Sequence, residues 1–132
     1  MAGAARQNDP VIGLDIHIVM IPAPPGPEIP TPLPHPFTGK ISGGVSTNVK
    51  INGQGAALAG SEVQNSPSHI AMGPRFQKNP TNKGKVLIGS PTVKINGKMA
   101  ARMGDMVMTC NDPADMPMGS ITAGSPNVMI GP

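Results

Sequence analysis

The sequence has almost none of the aromatic residues that usually fill a domain core. Its 132 residues include no Trp, no Tyr and only two Phe, Phe37 and Phe76. Aromatic side chains bury large apolar areas, and they also form the stacking surfaces of proteins that bind single-stranded nucleic acid. Their scarcity predicts a small aliphatic core. It argues against a nucleic-acid partner, as does the scatter of ten Lys and Arg without a basic cluster.

The chain also lacks disulfides, long apolar runs and a recognisable leader. Cys110 is the single cysteine, so no internal disulfide can form. No stretch approaches the roughly 18 apolar residues of a membrane-spanning helix, and the opening MAGAARQNDP does not have the pattern of a signal peptide. We expect synthesis in the cytoplasm and, if the protein leaves the cell, export without a cleaved leader.

Glycine and proline are abundant instead. The chain has 17 Gly and 17 Pro, and both residues disfavour the interior of a helix. Val, Ile, Leu and Met recur between them in short blocks, which indicates short strands joined by turns rather than disorder. The predicted fold is a single, mainly β domain over residues 1–132, with little helix.

The sequence contains an internal repeat of about sixteen residues. SPTVKINGKMAARMGD (90–105) and STNVKINGQGAALAGS (46–61) share nine of sixteen positions at an offset of 44 residues. A third copy is split between the ends of the chain, because SPNVMIGP (125–132) matches its first half and AGAARQND (2–9) its second. The sequence thus predicts three units related by pseudo-threefold symmetry, with the two termini meeting in space. Their approximate bounds are 39–69, 84–110, and 119–132 joined with 2–17.

Each unit has the pattern of a small hairpin. Apolar and polar residues alternate before Asn52-Gly53 and Asn96-Gly97, and Asn-Gly is a strong signal for a tight hairpin turn. Paired alanines follow the turn in each copy, and we interpret them as small side chains at a point where strands converge closely. Whether the strand residues face the core or an end of the domain is left open by the sequence: Val49, Ile51, Val93, Ile95, Val128 and Ile130.

Residues 22–36, PAPPGPEIPTPLPHP, differ from the repeats in composition, since eight of the fifteen are proline. Proline cannot donate a backbone hydrogen bond, so helix and central strand are excluded for this segment. On its own it would be a polyproline linker or a peptide ligand. Between repeats we expect an ordered loop laid against the domain.

The residues that could bind a metal are few and regularly placed. One follows the Asp or Ser that ends the repeat in each unit, and His35 stands in the proline segment. A lone histidine is more often a surface or core residue than a ligand, but three imidazoles and a thiolate form a tetrahedral zinc shell. Sequence spacing leaves the question open. The candidate ligands are His17, His35, His69 and Cys110.

The repeat resembles that of PAAR proteins, which are named for a Pro-Ala-Ala-Arg motif. The resemblance rests on the Ser-Pro start, the Asn-Gly turn, the Ala-Ala-Arg at 100–102 and 4–6, and the Gly-Asp at 104–105. Met99 and Gly3 stand where the family has proline. The middle unit departs further, with Leu58 in place of Arg and Ser61 in place of Asp.

This resemblance implies a compact cone of three β-hairpin units with a structural Zn²⁺ near its point, held by His17, His35, His69 and Cys110. It also implies a non-catalytic tip protein, one copy of which caps the trimeric β-helical (VgrG-like) spike of a contractile injection system. Such systems are type VI secretion machines and phage-tail-like particles, whose tips aid membrane puncture and effector delivery.

Two other function classes stay open at this point. A zinc hydrolase would need an open coordination position and a general base, and the only glutamates are Glu28 and Glu62. A free-standing binding module would act through the proline-rich segment 22–36.

Overall fold

The computed structural model describes residues 2–71 and 73–131, and within these ranges it contains strands and turns but no helix. The prediction of a mainly β fold is confirmed. No helix long and apolar enough to cross a membrane occurs in the described residues. The strands are β1 (Ala2–Gly3), β2 (Pro10–Ile21), β3 (Ile29–Gly43), β4 (Lys50–Ile51), β5 (Gln54–Gly55), β6 (Glu62–Asn65), β7 (Arg75–Phe76), β8 (Lys83–Val86), β9 (Lys94–Ile95), β10 (Lys98–Met99), β11 (Met106–Thr109), β12 (Met116–Ile121) and β13 (Met129–Ile130).

Six strands close into an antiparallel barrel in the order β2-β3-β6-β8-β11-β12, with β12 pairing back onto β2. Closure brings Gly119 opposite Gly13. A Cβ atom at Gly13 would lie 2.6 Å from the carbonyl oxygen of Met118, so glycine permits this close approach. Alternate residues of each strand point inward, as a half-buried strand requires. They form an aliphatic core with one aromatic ring: Val11, Phe37, Ile41, Val63, Val86, Val107 and Ile121.

Three short strand pairs lie at one end of the barrel, the end at which β2, β6 and β11 begin. β4 pairs with β5 and β9 with β10, each across an Asn-Gly turn with positive φ at both residues. The third pair joins the ends of the chain, because β1 pairs with β13 through Ala2 opposite Ile130 and Gly3 opposite Met129. The predicted meeting of the termini is therefore confirmed.

The paired alanines form the centre of the threefold arrangement. The amide of Ala5 donates to the carbonyl of Ala101, that of Ala101 to Ala57, and that of Ala57 to Ala5, each over 3.0 Å. This closed cycle of three backbone hydrogen bonds requires the chains to approach closely, and all three side chains are buried. Small side chains at a point of convergence were expected, and the structure confirms it. We call Ala5, Ala57 and Ala101 the alanine ring.

The alanine ring separates two apolar clusters. Its own side chains belong to the barrel core, whereas the preceding alanines belong to a second cluster among the hairpins. This answers the open question of which way the strand residues face. Ile51 and Ile130 are buried in the second cluster, Val93 and Ile95 pack against it, and Val49 and Val128 remain more than one-third exposed.

The expectation of a loop over residues 22–36 is wrong for its second half. Residues 29–36 are the first part of β3, which pairs with β2 without interruption from Ile29 opposite Ile21 to Lys40 opposite Pro10. The result is a long hairpin that extends beyond the barrel, and most residues of its turn at 22–28 are exposed.

The spacing of the prolines explains how they fit in a strand. Pro30, Pro32, Pro34 and Pro36 occupy every second position of β3. Ile16 of β2 lies opposite Pro34. The amide of Ile16 donates to the side chain of Asn111 and its carbonyl accepts a hydrogen bond from the amide of Asp112, so the backbone groups of Ile16 point away from β3. The four prolines are spaced two residues apart, so the backbone nitrogens of all four point away from β2. Proline at these positions therefore removes no hydrogen bond of the β2–β3 ladder.

Candidate metal centre

The strands carry the candidate ligands away from the alanine ring. β2, β6 and β11 each begin a few residues after an alanine of the ring and run outward, and β3, β8 and β12 return. His17 lies on β2, His69 follows β6, and Cys110 comes directly after β11. Because the three outward strands are symmetry-related, they deliver these side chains to one place at the far end of the barrel.

The three donors form a compact group with a fourth. Nε2 of His17 lies 3.7 Å from Sγ of Cys110. Oδ2 of Asp15 lies 2.8 Å from Nε2 of His69 and 3.5 Å from Sγ of Cys110. The donor atoms of Asp15, His17, His69 and Cys110 all lie within 4.8 Å of one another, which is the arrangement expected of groups that could hold a metal ion.

His35 stands beside this group. It sits on β3 opposite Asp15, and its ring centroid is 5.6 Å from that of His17 and 5.7 Å from that of His69. Its Nδ1 donates to the carbonyl of Leu33 over 2.9 Å, so the lone pair of the ring is on Nε2. That Nε2 atom is buried and has no hydrogen-bond partner among the described residues.

The residues present fit a metal. The unpaired Nε2 of His35 is the observation that points to a metal, since a buried polar atom without a partner in the described part of the chain calls for an explanation such as an ion. The backbone contact of His35 is the usual orienting bond of a metal-ligating histidine. Imidazole and thiolate together suit Zn²⁺ among the divalent cations.

A shell of polar and aromatic groups surrounds the donors. The side chain of Asn111 accepts the amide of Ile16 over 2.6 Å and donates to Oδ1 of Asp15 over 3.5 Å. The ring of Phe76, on β7, lies 5.7 Å from that of His17 and 5.3 Å from that of His35. Phe76 therefore covers the histidines on the side where β7 pairs with β2.

Burial is the main influence on the protonation of two donors. It lowers the pKa of His17, and the neighbouring His69 acts in the same direction. It raises the pKa of the Cys110 thiol to about 11, to which the carboxylate of Asp15 also contributes. Without a cation, His17 is therefore neutral and Cys110 protonated at neutral pH. A bound divalent cation reverses the second preference because it stabilises the thiolate.

Asp15 was not among the ligands predicted from the sequence, which were histidine and cysteine only. A signal for it was available, because Asp15 is two residues before His17 and so shares its face of β2. An acidic residue at an inward-facing position of a strand, next to a histidine, is unusual in an apolar core.

Comparison with known proteins gives one match. Residues 77–132 match the family model described as PAAR motif, a region that contains Cys110, the repeat at 90–105 and the first half of the split copy but is less than half of the chain. No curated protein and no solved structure matches. The resemblance noted in the repeat is thereby confirmed over this region, and the chain carries a PAAR motif.

Proposed function

We propose that this chain is the non-catalytic tip of the spike of a contractile injection system, such as a type VI secretion machine or a phage-tail-like particle. The observation that carries the proposal is the alanine ring, with three amide–carbonyl hydrogen bonds of equal length around one axis. A single chain with a near-threefold end can match the end of a homotrimer. The PAAR motif over residues 77–132 supports the same role.

The hairpin end is the face we assign to the spike. Its three hairpins present related edges, and Val49, Val128 and Met129 are exposed there. Exposed strand edges invite pairing with further strands, which would extend the sheets of a trimeric β-helical partner and bury these side chains. One copy of the chain would then occupy the end of each spike trimer.

The opposite end would carry a structural zinc ion, held by His17, His35, His69 and Cys110. Each of these side chains is largely buried, and they come from segments separated by long stretches of chain. A metal that joins such segments adds its binding free energy to the folded state and so offsets the entropy lost when these long loops close, and this core has few aromatic side chains to stabilise it otherwise. In this role zinc would hold the point together as the particle punctures a membrane, and effectors could travel with the tip.

A hydrolase is the weaker alternative. Glu28 is paired with Arg75 over 2.6 Å, and Glu62 lies on β6 near Lys85 of β8, so neither glutamate is among the groups that surround the histidines. The binding-module alternative loses part of its basis because residues 29–36 form a strand rather than a polyproline segment.

Mixing the chain with a purified trimeric β-helical spike protein tests the proposal. We expect a complex of one chain per trimer by mass measurement after gel filtration. Val49→Lys combined with Val128→Lys should weaken it strongly, whereas Ile12→Lys, an exposed position on the barrel wall, should not. Absence of any complex, or equal loss in both variants, would contradict the assignment of the hairpin end.

In this role the protein would reach the outside or a target cell on the particle. Detection of the chain in the medium of cells with an intact contractile apparatus, and its absence when the sheath is deleted, would test this part of the proposal.

A further inference from the structure

Asp15 is a fully buried carboxylate without a Lys or Arg partner among the described residues. Its side chain is 0% exposed, and both side chains that lie within ion-pair distance of it in residues 2–71 and 73–131 are imidazoles, of His17 and His69. An ionised carboxylate buried in this way is costly unless a cation or several hydrogen bonds compensate it. Asp15 has hydrogen-bond partners in His69, Cys110 and Asn111. A metal ion at the proposed centre would add the positive charge that no Lys or Arg supplies among the described residues.

The separation between Oδ2 of Asp15 and Sγ of Cys110 matches that of two ligands of one metal ion. Zinc bond lengths of about 2.0–2.3 Å to nitrogen, oxygen and sulfur imply separations of about 3.3–3.7 Å between donors of a tetrahedral site. The separations of 3.5 Å from Asp15 to Cys110 and 3.7 Å from His17 to Cys110 fall in this range. Those of Asp15 from His69, 2.8 Å, and from His17, 4.0 Å, lie on either side of it.

Charge points the same way. Three neutral imidazoles, one thiolate and Zn²⁺ leave a net charge of +1 in a buried site, whereas the carboxylate of Asp15 brings the sum to zero. A neutral buried centre avoids the desolvation penalty of an uncompensated charge. Asn111 then has a defined part, because its amide donates to Oδ1 and leaves Oδ2 for the metal.

We propose that Asp15 is a direct ligand of this metal, so that the site offers five donors and His35 is not essential for retaining the ion. The inference rests on the proposed metal centre. It differs from the expected three-histidine and one-cysteine set in one respect that can be measured: the compact group of Asp15, His17, His69 and Cys110 can hold zinc without His35.

Zinc content and affinity of four proteins test this: the unaltered chain, His35→Gln, Asp15→Asn and the double variant. We expect about one zinc per chain in the first two. Asp15→Asn should bind more than about a hundredfold more weakly in competition with a chromogenic chelator, which exceeds the about 10–100-fold cost of losing an outer-shell partner, and the double variant should lose the metal. Loss of zinc from His35→Gln as complete as in the double variant, with unchanged affinity in Asp15→Asn, would overturn the proposal.

Asp105→Asn is the matched control, since it neutralises a buried carboxylate at the opposite end of the barrel. It should lower stability without changing zinc affinity. If Asp15→Asn does not fold, a crystal structure of the unaltered chain with zinc decides. Oδ2 within about 2.2 Å of the ion supports the proposal, and a distance beyond about 3 Å overturns it. An unaltered chain that binds no zinc would instead contradict the metal centre itself.

Discussion

The hydroxyl of Ser61 accepts the amide of Leu58 over 2.9 Å. In the other two units an aspartate has this position, and Oδ2 of Asp9 or Asp105 accepts the amide of Arg6 or Arg102 over 2.7 Å. The middle unit thus keeps the backbone contact that closes the turn and loses the ion pair that accompanies it. Its departure from the repeat is a change of side chain that preserves the hydrogen bond at the ring.

This equivalence predicts different costs for two substitutions of Asp105. Asp105→Ala leaves the amide of Arg102 without its acceptor and removes the two-point contact with the guanidinium, so the free energy of unfolding should fall by about 1–3 kcal/mol. Asp105→Ser should cost less, because its hydroxyl can accept the amide as Ser61 does. Denaturant unfolding measures both, and Asp115→Ala, at an exposed site, is the control. Equal losses for Ala and Ser would contradict the equivalence.

The alanine ring predicts intolerance to larger side chains at its three positions. Ala101→Val adds two methyl groups where three backbones meet, and overpacking of this kind costs about 1–3 kcal/mol. Threefold equivalence means that Ala5→Val and Ala57→Val should cost about as much. Thermal or denaturant unfolding tests this against Ala59→Val, which is only half-buried. A tolerated valine at any one of the three positions would show that the ring is not closely packed.

The repeat made the ring predictable and left the long β2–β3 hairpin unpredicted. Nearly identical strings at fixed spacing report on symmetry directly, so the third, split unit and the meeting of the termini could be deduced from residue order alone. The proline segment could not, because whether proline is tolerated in a strand depends on which way each amide points and on what lies beyond it. Asp15 belongs to the same class, since its importance depends on His69 and Cys110, which are distant in sequence.

The metal-free protein should be most stable between about pH 6.5 and 9. The pKa of His17 is lowered in the folded protein. At a pH below the ordinary pKa of histidine the unfolded chain therefore binds more protons than the folded one, and stability decreases as the pH decreases. The pKa of Cys110 is raised to about 11, so above its ordinary value the unfolded thiol loses its proton first and stability falls as pH rises. Urea unfolding after chelation at acid, neutral and alkaline pH measures both limbs.

Cys110→Ser separates the two limbs, because serine does not ionise in this range. The alkaline loss should disappear in this variant while the acid loss remains. With zinc bound, the alkaline limb should also vanish in the unaltered protein, since the thiolate is then the stable form. An alkaline limb that persists in Cys110→Ser would show that another group causes it.

The spacing of the prolines predicts that β3 resists pairing with further strands. Residues 29–36 pair with β2 alone in the part of the chain that the structure describes. On their other edge each proline presents a backbone carbonyl but no N–H group to donate a hydrogen bond. Pro32→Thr with Pro34→Thr would place two N–H groups there and complete an edge able to pair with a second copy. We expect concentration-dependent dimers by analytical ultracentrifugation, and none for Pro27→Thr in the exposed turn. A double variant that stays monomeric at millimolar concentration would show that the prolines do not protect this edge.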